Sequence, residues 1–293
     1  MAKYKIEKMG DKDFSVCCAV YSMDNIFLSY DWLERLADIN PNDGGYMLLK
    51  DGFPIGGVVL HENHITYPFL IAPFGDKYEF WSELLKILGL QEKKIYLDFI
   101  PDSHREVLEK IGAQRKRGQF RMIRPTSKSQ TMLDPAFYFE VLKEADKEEI
   151  VSVVYQAHLH GYTSTVTGPP DVSDVADALE RRYRAFAETD TLGFSTIVKN
   201  CDTDKIAAVC ITGIYPDSSN YFSTIHQVSV LPEYRRRGLA QAMILNSINL
   251  AHEKSPVITL GVMDGNPAKE LYSKLGFVAG CGYSDYSLEY TGD

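Results

Sequence analysis

The chain has 293 residues, 45% of them hydrophobic and 24% charged, about twice the length of a single domain, so two domains are expected. No run of 18 or more apolar residues occurs, and Met1 to Met9 alternates charged with apolar residues instead of offering a basic stretch and an apolar core, so neither a membrane span nor a secretion signal is expected. The net charge of −9 is uneven: residues 1–130 carry 18 basic and 18 acidic side chains and the remainder 13 against 22, an acidic balance that repels a phosphate backbone, attracts amines and also serves solubility, so nucleic acid is not an expected partner.

In chain order, hydrophobic periodicity predicts a strand over Tyr4–Lys8, a helix from Asp11 to about Met23 and a helix near Asp31–Ile39. Strands at Tyr46–Leu49, Pro54–Leu60 and His64–Ile71 come next, then a helix over Asp76–Leu88, a strand over Lys94–Phe99 and a helix over Ser103–Ile111. A last strand or strand pair covers Gln114–Arg124. From Thr126 to Asp134 the pattern lapses into TSKSQTMLD, which has the composition of a linker.

The second half repeats that order. A strand at Phe137–Lys143 precedes helices near Lys147–His160 and Val172–Ala187, strands at Phe194–Val198, Lys205–Gly213 and Tyr221–Leu231, and a helix from about Arg237 to His252. A strand (Val257–Met263), a helix (Pro267–Leu275) and strand material over Phe277–Glu289 complete it. Shifted by 164 positions, Arg105–Gly112 lies over Lys269–Gly276 without a gap and Pro68 falls on Pro232. Together with the repeated element order, this reads as a diverged internal duplication: residues 1–125, a linker over 126–135, and residues 136–293.

The five cysteines, Cys17, Cys18, Cys201, Cys210 and Cys281, form no CxxC pair and show no zinc-site spacing. A cytoplasmic protein with no disulfide framework and no bound metal is therefore expected.

The most informative stretch runs from His226 through Val228, Val230, Pro232, Arg235, Arg236, Arg237, Gly238 and Leu239 to Ala240. It reads as a strand, a tight basic turn and a helix whose small or apolar residues Ala240, Met243, Ile244, Ser247, Ile248 and Ala251 recur at spacings of three and four. The first backbone N–H groups of such a helix have no intrahelical partner, and the helix dipole adds about half a positive charge, so this turn suits a pyrophosphate. Gly238 and Ala240 lack bulk where phosphate oxygens would approach the main chain. No Gly-Lys-Ser/Thr follows and GxGxxG is absent, which separates the turn from a Walker loop and a dinucleotide fingerprint. A second block, Asp264 to Phe277, begins 31 positions after Arg235 numbered from Asn266; there Asn266 suits a helix cap, Pro267 the first helical position and Gly276 the left-handed stop.

Arg-x-x-Gly-x-Ala after a strand ending Val-x-Val-x-Pro resembles the acyl-coenzyme A binding signature of the GNAT superfamily of N-acetyltransferases, and the chain resembles tandem GNAT proteins with one degenerate copy over nearly its whole length. The resemblance implies an α/β fold of two GNAT-like domains, each a mostly antiparallel mixed sheet flanked by helices. It implies acetyl-CoA as co-substrate and a small-molecule or peptide amine as acceptor, attacked within a ternary complex by a monomer or homodimer. Coenzyme A would lie in the splay between Tyr221–Leu231 and Val257–Met263, held by Arg235, Arg236, Arg237, Gly238, Leu239, Ala240 and Asn266 and by the backbone of Val228 and Val230. Tyr272 would protonate the departing thiolate; a buried structural tyrosine is the competing reading. An acyl-CoA:amino acid N-acyltransferase and a non-catalytic acyl-CoA sensor are the alternatives.

A protonated amine cannot attack a thioester, so a base or water chain is needed. His226 is the candidate: by period two it shares a face with Val228, Val230 and Thr224, although a histidine hydrogen-bonded within the sheet accounts for it equally well. The acceptor pocket is expected from His158 to Asp171. Under the 164-residue shift Arg235, Gly238, Ala240 and Tyr272 correspond to Ile71, Phe74, Asp76 and Leu108, so the first copy is not expected to bind coenzyme A in the family manner.

Overall fold

The computed structural model describes residues 2–29, 32–37, 44–89, 94–216 and 222–289. The elements are β1 (Tyr4–Lys8), α1 (Asp11–Tyr21), α2 (Trp32–Ala37), β2 (Gly45–Lys50), β3 (Phe53–His61), β4 (His64–Leu70), α3 (Lys77–Gly89), β5 (Lys94–Pro101), α4 (Arg105–Lys110) and β6 (Gln114–Pro125). They continue with β7 (Phe137–Val141), α5 (Lys147–Leu159), α6 (Tyr162–Thr167), α7 (Val172–Glu188), β8 (Thr196–Asn200), β9 (Ile206–Gly213), β10 (Ser223–Val230), α8 (Leu239–Ala251), β11 (Val257–Met263), α9 (Ala268–Lys274) and β12 (Val278–Glu289). The expected order is present in the first half, and in the second half with one further short helix, α6. Asp31 and the residues after Ala37 in the second expected helix, and Tyr221 at the start of the expected strand, lie outside the described residues.

Two compact units divide the chain: Met1–Arg121 with Gly280–Asp293, and Met122–Ala279. These bounds differ from the expected 1–125 and 136–293 because strand pairing ignores sequence distance. β12 hydrogen-bonds antiparallel to β5, from Tyr283 opposite Pro101 to Glu289 opposite Lys94, so the end of the chain belongs to the first unit. The polar stretch expected as a linker is tied into the second unit. Thr126 N–H donates to Pro256 O at 3.0 Å, and Ser129 N–H donates to Asn249 Oδ1 at 2.8 Å.

In the first unit the strand order is β1-β2-β3-β4-β5-β12-β6. Phe80, Trp81 and Leu84 of α3 pack on Leu48, Ile65, Ile95 and Leu97, while Phe14 and Cys18 of α1 pack with Phe69 and with Met47 and Leu49, which alternate with Leu48 along β2. In the second unit the order is β11-β10-β9-β8-β7. Ile150 and Val154 of α5 and Leu179 and Phe186 of α7 bury one face, against Ile197, Val209 and Ile211. The opposite face carries α8, whose Ser247 Oγ lies 3.1 Å from Thr196 Oγ1. Gly213 closes this arrangement, since a Cβ there would enter the Phe186 ring.

His104 is a buried titratable group in the first unit, 3% exposed, with Trp81 Nε1–H donating to its Nδ1 at 2.9 Å. Burial first, and then the charge of Lys77, hold its pKa down to about 3. Because the unfolded chain binds a proton near pH 6.5 that the folded chain refuses, this contribution to stability is present above that pH and is lost as pH falls toward 3. Denaturation measured between pH 7 and 4 is expected to show a decline of up to about 1.4 kcal/mol per pH unit from this group, flattened in His104→Gln.

Candidate active site

β10 and β11 run parallel and pair only through Ser223–Ile258, Thr224–Thr259 and Ile225–Leu260; beyond Leu260 they part. At the same level the register of β10 against β9 shifts between Ile225 and Gln227. Leu231 N–H donates to Ala207 O at 3.0 Å, so by alternation the N–H groups of Val228 and Val230 point to the other edge, toward the gap left by β11. That is where the sequence expected a ladder for the pantetheine arm. The crevice lies at the carboxyl ends of two parallel strands, where open α/β sheets bind ligands.

From Leu231 the chain turns through a short 3-10 segment, Pro232–Tyr234, and enters α8. Arg236 and Gly238 both have left-handed backbones, at φ 64° and 76°. Glycine holds the second without strain, and a Cβ there would meet nothing within 4 Å. Among the described residues no side chain caps α8, so its first N–H groups face open space at Gly238 while Leu239 turns inward and is 1% exposed. Ala240 is half-buried in that first turn.

The three arginines differ in task. Arg235 donates from Nε to Val230 O at 3.2 Å, from Nη1 to His160 O at 2.7 Å and from Nη2 to Ala157 O at 3.0 Å. It therefore does not reach toward phosphates: its guanidinium fastens the turn to the last carbonyls of α5, which is a correction to its expected role as a coenzyme A ligand. Arg237 pairs with Asp134, 2.7 Å from Nη2 to Oδ2, and lies 4.6 Å over the Phe137 ring. The Ala136 N–H and Arg237 hold the Asp134 carboxyl below its usual range. Arg236 is exposed beside the uncapped amides.

The register shift overturns one expectation about His226. Val228 lies opposite Cys210, whose thiol hydrogen-bonds Ser247 of α8, so Val228 faces α8. The His226 ring instead packs 5.6 Å from Phe186 of α7 and 5.0 Å from Tyr215, so it does not share the face of Val228 and Val230. One extra residue in the strand breaks period two. Thr224, opposite Gly213, also faces α7.

Beside His226 stands a network that periodicity did not reveal. Gln227 Nε2 lies 2.8 Å from both His158 Nε2 and Ser229 Oγ. An amide nitrogen only donates, so His158 Nε2 accepts and carries its proton on Nδ1. Burial first, and then Arg182, push the His158 pKa down, keeping the ring neutral. Arg182 in turn hydrogen-bonds Tyr215. The expected acceptor segment includes the helix α6, whose Tyr162 hydroxyl donates to Asp264 O at 2.7 Å. Threonines and serine hid that turn of helix from a reading by hydrophobic period.

On the α8 side, Tyr272 is 9% exposed, and burial first, then the nearby Cys210 thiol, push its pKa up to about 12. A phenol so placed keeps its proton at neutral pH. Asn266 Oδ1 accepts the Ala268 N–H at 2.9 Å, so its carbonyl end serves the start of α9 as the capping reading expected. In the first unit the helix corresponding to α8 is closed: Asp76 Oδ1 accepts the Glu79 N–H at 2.9 Å. Among the described residues no three His, Cys, Asp or Glu are grouped to hold a metal, and no helix is long and apolar enough to cross a membrane.

Residues 158–277 match the model of the Acetyltransferase (GNAT) family. Solved structures extend the fold to the rest. A GCN5-related N-acetyltransferase from Sphaerobacter thermophilus superposes at a TM-score of 0.67 with 13% identity, covering 98% of this chain and 95% of that one. An acetyltransferase from the GNAT family from Colwellia psychrerythraea gives 0.58 with 12% identity over 98% and 100%. A tandem GNAT protein from the clavulanic acid biosynthesis pathway gives 0.55 with 8% identity over 99% and 100%. No curated protein sequence matches the chain. The mixed α/β fold expected from the motifs is thus the fold these proteins share.

Arg235→Ala removes three charge-assisted bonds and leaves the carbonyls of buried Ala157 and half-buried Val230 without this partner. It is expected to lower stability in urea by about 2 kcal/mol, whereas Arg236→Ala changes it by less than about 0.5 kcal/mol.

Proposed function

We propose that the second unit transfers an acetyl group from acetyl-CoA to the amine of a small molecule or peptide by direct attack in a ternary complex. The observation that carries this reading is the uncapped start of α8, with open space at Gly238, standing at the end of the crevice between β10 and β11. The residues present fit the coenzyme. The amides of Gly238, Leu239 and Ala240 and the Arg236 guanidinium would hold the pyrophosphate, with Arg237 and Arg235 fixing the turn that presents them. The Val228 and Val230 N–H groups would hold the pantetheine arm and polarise the thioester carbonyl, and Asn266, which follows β11 and caps α9, would add its side-chain amide. The thioester supplies an activated acetyl group and a leaving thiolate.

The two faces of the strand divide the proton work. Tyr272, with its pKa raised to about 12, holds a proton for the thiolate on the α8 side. The amine must lose one on the side of α5 and α7, where His226 and the neutral His158 flank Gln227. His226 remains the proposed base because it sits at the register shift beside the crevice, with His158 setting the orientation of Gln227 next to it.

Tyr272→Phe is expected to lower kcat about 100-fold in a thiol-release assay while the Kd for coenzyme A changes by less than about twofold. A chain that only senses acyl-CoA would show no turnover to lose. Arg236→Glu combined with Gly238→Glu places two carboxylates at the uncapped amides and is expected to abolish coenzyme A binding by calorimetry. Strain at the left-handed position costs about 1 kcal/mol, so the circular dichroism spectrum should be unchanged; retained affinity would refute the assigned cradle.

A further inference from the structure

The crevice of the second unit has a counterpart in the first. In element order β4 and β5 correspond to β10 and β11, each pair standing on either side of a helix, and they too pair in parallel only briefly, His64 with Tyr96 and Ile65 with Leu97, before parting. Between their ends and the segment after α1 lies a cavity of about 310 Å³, within the size range of small-molecule sites. Its apolar wall includes Ile26, Phe27, Phe69 and Phe99, and its polar groups include Arg35, Lys77, Asp24 and His104.

The end that would take a phosphate is closed. Asp76 accepts the Glu79 N–H at the start of α3, and Phe74 packs into the core beneath that helix. What remains is a short apolar crevice whose polar groups are mostly donors. Arg35 spends Nη2 on Ser22 O at 2.9 Å, and Lys77 spends one hydrogen on Ser103 O at 2.8 Å, so each cation keeps further donors. Since Trp81 occupies Nδ1 of His104, that ring carries its proton on Nε2 and adds a neutral N–H donor to the wall. The carboxylate of Asp24 is engaged by the Ser103 hydroxyl at 2.7 Å. Two cations and a neutral donor against one engaged carboxylate favour an anionic, acceptor-rich head on an apolar body.

We propose that the first unit binds a small apolar carboxylic acid in the crevice between β4 and β5, its carboxylate held by Arg35 and Lys77 and its body by the aromatic wall. The site is independent of the acetyl-transfer reading.

The probe is 2-naphthoate, titrated into the full chain by calorimetry and followed by backbone amide shifts. Saturable binding is expected, with shifts at Ala19, Ile26, Leu70 and Lys77. The amine 2-naphthylmethylamine, of the same shape and opposite charge, should bind at least about tenfold more weakly, and Lys77→Met and Arg35→Met should each weaken naphthoate about tenfold, equivalent to about 1.4 kcal/mol. Coenzyme A should not displace it. Absence of saturable binding, shifts confined to residues 122–279, or equal binding of acid and amine would each overturn the proposal, and the acid–amine comparison needs no variant to fold. Unchanged thiol release by Lys77→Met would separate this site from the transferase site; loss of naphthoate binding there with turnover retained supports it.

Discussion

The ladder between β10 and β11 ends at Ile225 and Leu260, and what the second unit can bind follows from that interruption. While two strands are paired, their amides satisfy each other and offer nothing to a ligand. Once they part, the outward N–H groups of Val228 and Val230 border a gap, and a molecule with amide carbonyls can take the place of the missing strand. The register shift against β9 falls at the same residues and turns His226 and Gln227 toward α5 and α7 while Val228 faces Cys210 and α8. One irregularity thereby brings groups from both sides of a sheet to a single opening.

That opening is held in shape by Arg235. Its guanidinium ties together the end of β10 and the last carbonyls of α5, elements about 75 residues apart in sequence by the Arg235–His160 bond. Those carbonyls carry the negative end of the α5 dipole, where a cation is favoured. The following residues then adopt two left-handed conformations and release α8 with its first amides uncapped. The division among three adjacent arginines is a matter of direction: one fastens the turn, one pairs with Asp134, and Arg236 is left at the solvent edge of the cradle.

Much of this was legible in the residues. The strand, turn and helix around Pro232 to Ala240 are local, and Gly238, Ala240 and the spacing of the apolar face of α8 fix them without long-range information. Asn266 and Gly276 mark the ends of α9 for the same reason, one by a side-chain acceptor and the other at φ 85°. What could not be read depended on partners distant in sequence. Period two places His226 with Val228, and only the pairing of β10 with β9 reveals the extra residue that separates them. The end of the chain reads as the last strand of the second half, yet its hydrogen bonds go to β5. The carbonyls that claim Arg235 come from α5, which no motif around Gly238 can announce.

The duplicated crevice isolates what a helix start contributes to binding. In both units two parallel strands part after two or three pairs, and in both a helix begins beside the opening. In the second, the residue before the helix is Gly238, which supplies no acceptor, so the amides and the dipole act outward on whatever enters. In the first, Asp76 supplies the acceptor from within, satisfying Glu79 N–H and cancelling the attraction for an anion at that point. Positive charge near the first opening comes instead from Arg35 and Lys77, placed along an apolar crevice. Exchange of a capping carboxylate for a glycine therefore moves the favourable place for negative charge from the side-chain wall to the backbone amides, and with it the kind of molecule each copy of the fold can hold.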